Sequence, residues 1–340
     1  MFQIHGYASL LVCLFGSIAN ILNIAVLTRK EMRTPTNIIL TGLAIADLCV
    51  MLDYLPFSYQ SIKGGGNFTY SYAAYMLFHA HFSQLCHTAS IWLTVILAVW
   101  RYIAVAYPQK NRDWCHMRTT VITIISIYIL CPVILIPQYI LLELKESNKT
   151  NKTVYYVDYR SSEILLDINY WIYSFLMKLI PCVLLTFLSL RLIFALIKTK
   201  KRREKLVNSS HLINNENSTR PSVKKSRKLV DKEKQTDRTT KMLLAVLLLF
   251  LITEFPQGIL GLLNYMLGKH FARSCYHPLG DVLDILALFN SAINFMIYCT
   301  MSRQFRKTFS LLFKPKILNK WMPVNQLNSL EKDMTQVTQV

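Results

Sequence analysis

The chain lacks most of what a soluble enzyme carries. Only 17% of its 340 residues are charged, while 53% are hydrophobic and the mean hydropathy is +0.31. A soluble domain of this length is less apolar and breaks its apolar runs more often. The eight cysteines form no Cys-x-x-Cys pair and no Cys/His metal spacing. Most stand inside apolar runs (Cys13, Cys49, Cys86, Cys131, Cys182, Cys299), where cysteine acts as a small hydrophobe. No His-rich or Ser/His/Asp set clusters on one side, which argues against an enzyme. His79, His81 and His87 come closest, but His79 and His81 fall on different helix faces. There is no internal repeat and no pair of broken helices in two halves, as a secondary transporter would show. No basic segment precedes the first apolar run; the Lys and Arg follow it, which reads as a first span rather than a cleaved signal.

What is present is a series of seven apolar runs, roughly 6–28, 35–59, 72–107, 119–142, 170–198, 240–267 and 279–300. About twenty apolar residues cross a bilayer as a helix. In lipid each backbone N–H and C=O must be satisfied within the segment, so the runs read as helices. The expected fold is an all-α membrane protein, a seven-transmembrane bundle over 1–301. Residues 200–238 are polar, basic and poor in aromatics, and are expected to form a largely disordered loop within it. Residues 302–314 alternate basic side chains with Phe305, Phe309, Leu312 and Phe313, the pattern of an amphipathic interfacial helix. No Cys follows it for palmitoylation. A tail occupies 315–340.

Charge placement orients the bundle. Lys and Arg number 38 against 19 Asp and Glu, a net charge of +19. They sit in alternate loops: Arg29, Lys30 and Arg33, then Lys110, Arg112 and Arg118, then the segment 200–238. That is the positive-inside pattern, so these loops and the C-terminal tail are expected in the cytoplasm and the N-terminus outside. No separate basic domain exists to bind nucleic acid. The sequons at Asn67, Asn148 and Asn151 fall in loops assigned outside; those at Asn208 and Asn217 fall in the basic loop and read as chance matches.

Ionisable residues inside a span are costly and point to function. Asp47 lies mid-span, with Asn20, Ser90, Asn290 and Asn294 at similar depth. This oxygen set suits a small hard cation such as Na⁺, or an inter-helix hydrogen-bond network; the residues alone leave both open. No other cofactor is expected. Glu254 is a second buried acid, beside Phe255 and Pro256. Pro256 and Pro181 are expected to kink their helices.

In order and spacing, these residues resemble the rhodopsin-like (class A) G-protein-coupled receptor family over nearly the whole chain. The matching positions are Gly16-x-x-x-Asn20, Leu43-Ala-Ile-Ala-Asp47, Trp100-Arg101-Tyr102, Pro181, Phe255-Pro256 and Asn294-Phe-Met-Ile-Tyr298. Trp100 before Arg101, the stretch Thr253-Glu-Phe-Pro-Gln-Gly258 and Asn-Phe-x-x-Tyr depart from the common motifs. In these the chain is similar to the invertebrate FMRFamide, myosuppressin and sex-peptide receptors and to nematode serpentine receptor class w. The family ordinarily ties the outer end of the third helix to the second outer loop by a disulfide. Met76 stands near that position, the loop has no Cys, and Cys86 lies about 15 Å deeper at helical rise. No such disulfide is expected. Leu288 stands where opsins carry the retinal lysine.

The resemblance implies a plasma-membrane receptor that binds ligand among the outer helix ends and a heterotrimeric G protein, and arrestin, at the inner face. Ser83 stands where amine receptors carry Asp, which disfavours an amine ligand. A neuropeptide ending in Arg-Phe-amide would want a carboxylate with aromatic walls. Candidate pocket residues are His79, Ser83, Gln84, His87, Glu254, Gln257, Asp281 and Asp284. Asp284 is the first choice for the Arg and Glu254 the second; alternatively Asp284 pairs with His277 or Arg273. A chemosensory receptor for an external small molecule is the other reading. Coupling and switching fall to Trp100, Arg101, Tyr102, Pro256 and Tyr298. Trp100 cannot pair with Arg101, and an exposed Asp237 substitute would give up to about 1 kcal/mol. A weak inactive-state lock and raised basal activity follow. The ending at Val340 fits a PDZ groove, or arises by chance.

Overall fold

A computed structural model describes residues 2–63, 69–149, 152–213, 244–245, 248–267, 271, 275 and 277–313. Among them, seven helical segments are long and apolar enough to cross a membrane. The first span is α1 (Phe2–Leu27). A short turn over Lys30–Met32 leads to the second, α2 (Pro35–Ile62), where the Thr34 hydroxyl accepts from the Asn37 N–H and Pro35 occupies the first turn. The third, α3 (Tyr70–Ala106), is capped in the same way by Thr69. It is followed by the short α4 (Pro108–Trp114).

The fourth span is broken into α5 (Met117–Ile134) and α6 (Ile136–Leu141). Pro137 has no N–H to donate back into α5, so the helix restarts there. Next come two antiparallel strands, β1 (Leu142–Lys149) and β2 (Lys152–Tyr159), with Leu142 opposite Tyr159. The fifth span assembles α7 (Glu163–Trp171), π-helical turns over Ile172–Leu179, and α8 (Ile180–Ile213). The sixth and seventh are α9 (Leu248–Leu267) and α10 (His277–Met301), and the amphipathic α11 (Arg303–Phe313) follows.

Two differences from the sequence expectation stand out. Residues 200–213 of the basic segment continue α8 as helix rather than disordered loop. Lys, Arg, Glu and Leu are good helix formers, and adding a residue to an existing helix is far easier than nucleating one. Residues 214–238 lie outside the described residues. The second difference is the β hairpin, in a loop for which no regular structure was expected.

Packing positions the two ends of the bundle. A side chain at Gly16 would meet Met51 Sδ at 2.7 Å and Ala292 at 3.0 Å, so only glycine lets α1 lie this close to α2 and α10. At the end carrying Arg101, Leu40, Leu43, Leu93, Leu97, Tyr298 and Phe305 form one buried cluster. Phe305 and Phe309 of α11 pack on Phe295 at ring separations of 5.9 and 5.6 Å. Arg306 donates to the carbonyls of Cys299 and Thr300, satisfying the free end of α10. At the opposite end Tyr155 of β2 meets Tyr70 of α3 edge-to-face at 5.5 Å. The hairpin is tied across its base by Lys145 to Asp158 at 3.0 Å and Arg160 to Glu143 at 3.1 Å. The Lys145 hydrogen bond holds the Asp158 carboxyl below its ordinary pKa and raises that of Lys145. All eight cysteines are unpaired.

Candidate functional site

A cavity of about 210 Å³ opens in the hairpin half of the bundle. Its walls include Tyr54 of α2, His79, Ser83, Gln84 and His87 of α3, Lys178 and Tyr173 of the π-helical turns, Gln257 of α9, and Asp284 and Ser291 of α10. Six of the eight residues proposed from sequence therefore line one space. Asp281 lies about a turn nearer the end of α10, half-buried and outside the lining. Glu254 lies beneath the cavity, fully buried.

Glu254 does not stand alone there. Lys178 Nζ donates to Glu254 Oε2 at 2.6 Å, to Gln257 Oε1 at 2.6 Å, and approaches His87 Nε2 at 3.0 Å. Those are the three donors of an ammonium. His87 Nε2 is also 3.2 Å from Glu254 Oε2. One imidazole nitrogen can accept from the lysine or donate to the carboxylate, not both at once. Lys178 is 1% exposed and Glu254 0%. Either charge alone would be strongly disfavoured at such a site; together they compensate. The π-helical turns ahead of Pro181 carry Lys178, and Gly258 leaves room for it: a Cβ there would lie 3.0 Å from Lys178 Cβ.

Asp284 is differently placed. Gln257 Nε2 donates to its Oδ1 at 3.3 Å, and no cation pairs with it among the described residues. His277 and Arg273, its alternative partners, are not available for comparison: the His277 side chain and all of Arg273 lie outside the described residues. A second buried acid, Asp53, was not singled out from sequence. It holds His79 Nδ1 at 2.7 Å, and the His79 ring stacks on Phe57 at 4.6 Å with Tyr54 edge-on at 4.8 Å. His5, on α1, is buried, and its Nε2 has no hydrogen-bond partner among the described residues.

Below the cavity floor lies the Asp47 network. Ser90 donates to Asp47 Oδ1 at 2.8 Å and Asn294 Nδ2 to Oδ2 at 3.2 Å. Asn20 Nδ2 bonds the carbonyls of Gly16 and Ser291. The amide oxygens of Asn20 and Asn294 are buried without partners among the described residues. Asn290 is half-buried and makes no side-chain hydrogen bond among the described residues; its neighbour Ser291 faces Asp47 instead and also lines the cavity. Among the described residues no three His, Cys, Asp or Glu side chains gather as a metal site.

At the opposite end, Trp100 Nε1 donates to Thr120 Oγ1 of α5 at 3.0 Å. Arg101 forms no ion pair among the described residues, and its Nε is buried without a partner. Tyr102 meets Tyr107 edge-on, and Tyr298 is 2% exposed against Phe305. Pro256 faces outward while Glu254, two residues earlier, faces inward. Asn148 lies in β1; Asn67, Asn151, Asp237 and Val340 lie outside the described residues.

Lys178 was the main residue missed. Its signal was a cation deep inside the apolar run 170–198, thirteen residues before the next, Arg191, and an intramembrane charge points to a partner charge elsewhere.

Seven spans, an eighth amphipathic helix folded back on the bundle, and a polar cavity above a buried carboxylate describe a membrane receptor of the seven-helix class. The profile of the serpentine type 7TM GPCR chemoreceptor family Srw matches residues 7–316, and the chain belongs to that family. It is a multi-pass membrane receptor and not an enzyme. It is 33% identical to the G-protein coupled receptor dmsr-1 of Caenorhabditis elegans, over 92% of this chain and 68% of that one. It is 28% identical to the sex peptide receptor of Drosophila melanogaster, over 93% and 74%. To the FMRFamide receptor of the same fly it is 25% identical, over 95% of this chain and 56% of that one.

Proposed function

We propose that this receptor answers a neuropeptide with an amidated Arg-Phe end and activates a heterotrimeric G protein. The observation that carries the reading is Asp284, a cavity acid with no cationic partner among the described residues, beside the rings of Tyr54 and Tyr173. A guanidinium fits such a carboxylate through paired charge-assisted bonds, with aromatic faces beside it. Glu254, the other acid considered for this role, is already held by Lys178. The names of the sex peptide and FMRFamide receptors support a peptide ligand.

On this reading the hairpin end faces outward and the Arg101 end meets the G protein in the cytoplasm, with the receptor in the plasma membrane. Arrestin is a further partner at the same inner face. The unpartnered amide oxygens of Asn20 and Asn294, with Asp47 and Ser90, fit Na⁺ as an allosteric ion. The test is a screen of amidated RF-type and other neuropeptides, and of small organic cations, with calcium and cyclic-AMP readouts. Asp284→Asn is expected to lower peptide potency roughly ten- to a hundredfold, the loss of a charged hydrogen bond. Unchanged potency would refute the assignment. A response to small cations alone would favour the chemosensory reading that the family description offers.

A further inference from the structure

The cavity floor holds a cation that cannot act as one. Lys178 donates to Glu254 and Gln257, and its Nζ has His87 Nε2 within reach at 3.0 Å. Its charge is matched by Glu254 at 2.6 Å in a fully buried pair. Asp284 has no such match among the described residues, and the acid Asp53 is joined to His79. Among the described residues Asp284 is thus a cavity acid without an ion pair of its own, while His5, Lys178 and His87 act on it only from beyond contact.

Gln257 shows what this gap accepts. Its side-chain carboxamide presents oxygen to Lys178 at 2.6 Å and N–H to Asp284 at 3.3 Å. One neutral primary amide thus satisfies a donor on one side and an anion on the other. A carboxylate in such a position would set a second anion beside Asp284, one more than the ligand's single guanidinium matches, with the Lys178 ammonium already matched by Glu254. The cavity, at about 210 Å³, is below the ~300 Å³ typical of pockets for drug-sized ligands, so a chain end enters rather than a folded peptide.

We infer that Glu254 is the residue that makes this receptor select a carboxamide over a carboxylate at the end of its ligand. It does so without touching the ligand, by neutralising Lys178. This rests on the peptide reading above and names the chemistry of the terminus within it. Removing the negative charge from Glu254 leaves Lys178 uncompensated at the floor. The same cavity then attracts the free acid.

The experiment uses full-length receptor in cells and two probes, Phe-Met-Arg-Phe-amide and the same tetrapeptide with a free carboxylate. Responses are normalised to surface receptor counted through an epitope tag. The unaltered receptor is expected to respond to the amide at least about tenfold more potently than to the acid. Glu254→Gln keeps an oxygen for Lys178 and removes only the charge. It is expected to narrow the amide-to-acid ratio by about tenfold, mainly through a gain on the acid, the scale of one charged hydrogen bond. Adding Lys178→Met to Glu254→Gln is expected to abolish that gain. If Glu254→Gln fails to reach the surface, Glu254→Ser is read in the same way. A ratio unchanged by loss of the Glu254 charge, or a gain that persists without Lys178, overturns the inference while leaving the peptide reading intact. Silence of the unaltered receptor toward both probes overturns both.

Discussion

Replacing Lys178 with Met is the most informative single change to the fold. It leaves Glu254, 0% exposed, with His87 as the remaining partner of its Oε2 and none for Oε1 among the described residues. Breaking a buried pair from one side costs about 3–5 kcal/mol, because the other charge remains without compensation. Methionine has nearly the length of the lysine stem, so little of the loss comes from packing. Replacing both residues, Lys178→Met with Glu254→Met, removes the stranded charge. Such exchanges are often neutral or stabilise by about 1–4 kcal/mol. The two substitutions are therefore expected to be strongly non-additive. The assay is the apparent melting temperature of purified receptor in detergent, followed with a thiol-reactive dye. Five of the eight free cysteines are buried and become reactive on unfolding. The single variant is expected to melt roughly 5–10 °C lower than the unaltered receptor, and the double variant near or above it. A single variant as stable as the parent, or a double variant showing the sum of two losses, would refute a charge-compensated pair.

Three further outcomes follow. Asp47→Asn is expected to remove any effect of Na⁺, against K⁺, on peptide affinity; a retained Na⁺ effect would place the ion elsewhere. Trp100→Asp supplies the acid next to Arg101 that the sequence lacks, and is expected to lower signalling without ligand; unchanged basal signalling would show that Arg101 is already held. In the hairpin, Asp158 lies below its ordinary pKa, so its contribution stands above about pH 4 and is lost as the pH falls below its lowered value. Lys145 is raised, so its contribution stands up to about pH 10.4 and is lost as the pH rises past its raised value. Amide protection of β1 and β2, corrected for intrinsic exchange, is expected to be flat from about pH 5 to 9; a step near neutrality would contradict that pair.

The spans were legible because crossing a bilayer demands an unbroken apolar length, and that demand is local. Thr34 and Thr69 mark helix starts for equally local reasons. The Lys178 cluster was not legible. Its partners lie 91 and 76 residues away on α3 and α9, and only the bundle brings them together. The π-helical turns that carry Lys178 have no sequence period of their own. The extension of α8 to Ile213 was obscured because composition alone does not separate a solvated helix from a disordered basic loop. The hairpin had a signal in Thr153-Val-Tyr-Tyr-Val157, rich in strand-forming residues but set among charged neighbours. For Asp47, sequence supplied Ser90, Asn20 and Asn294, while Ser291 rather than Asn290 faces the carboxylate, a difference of one helix position that periodicity does not resolve.

The central claim is that peptide bound at one end of the bundle drives G-protein activation at the other. The direct measurement is guanine-nucleotide exchange on a heterotrimeric G protein reconstituted with the full-length receptor, with and without an amidated Arg-Phe peptide. Faster exchange with the peptide is expected, with most of that stimulation lost in Asp284→Asn at the same peptide concentration. Exchange indifferent to every amidated peptide offered, or stimulated equally in Asp284→Asn, would contradict it.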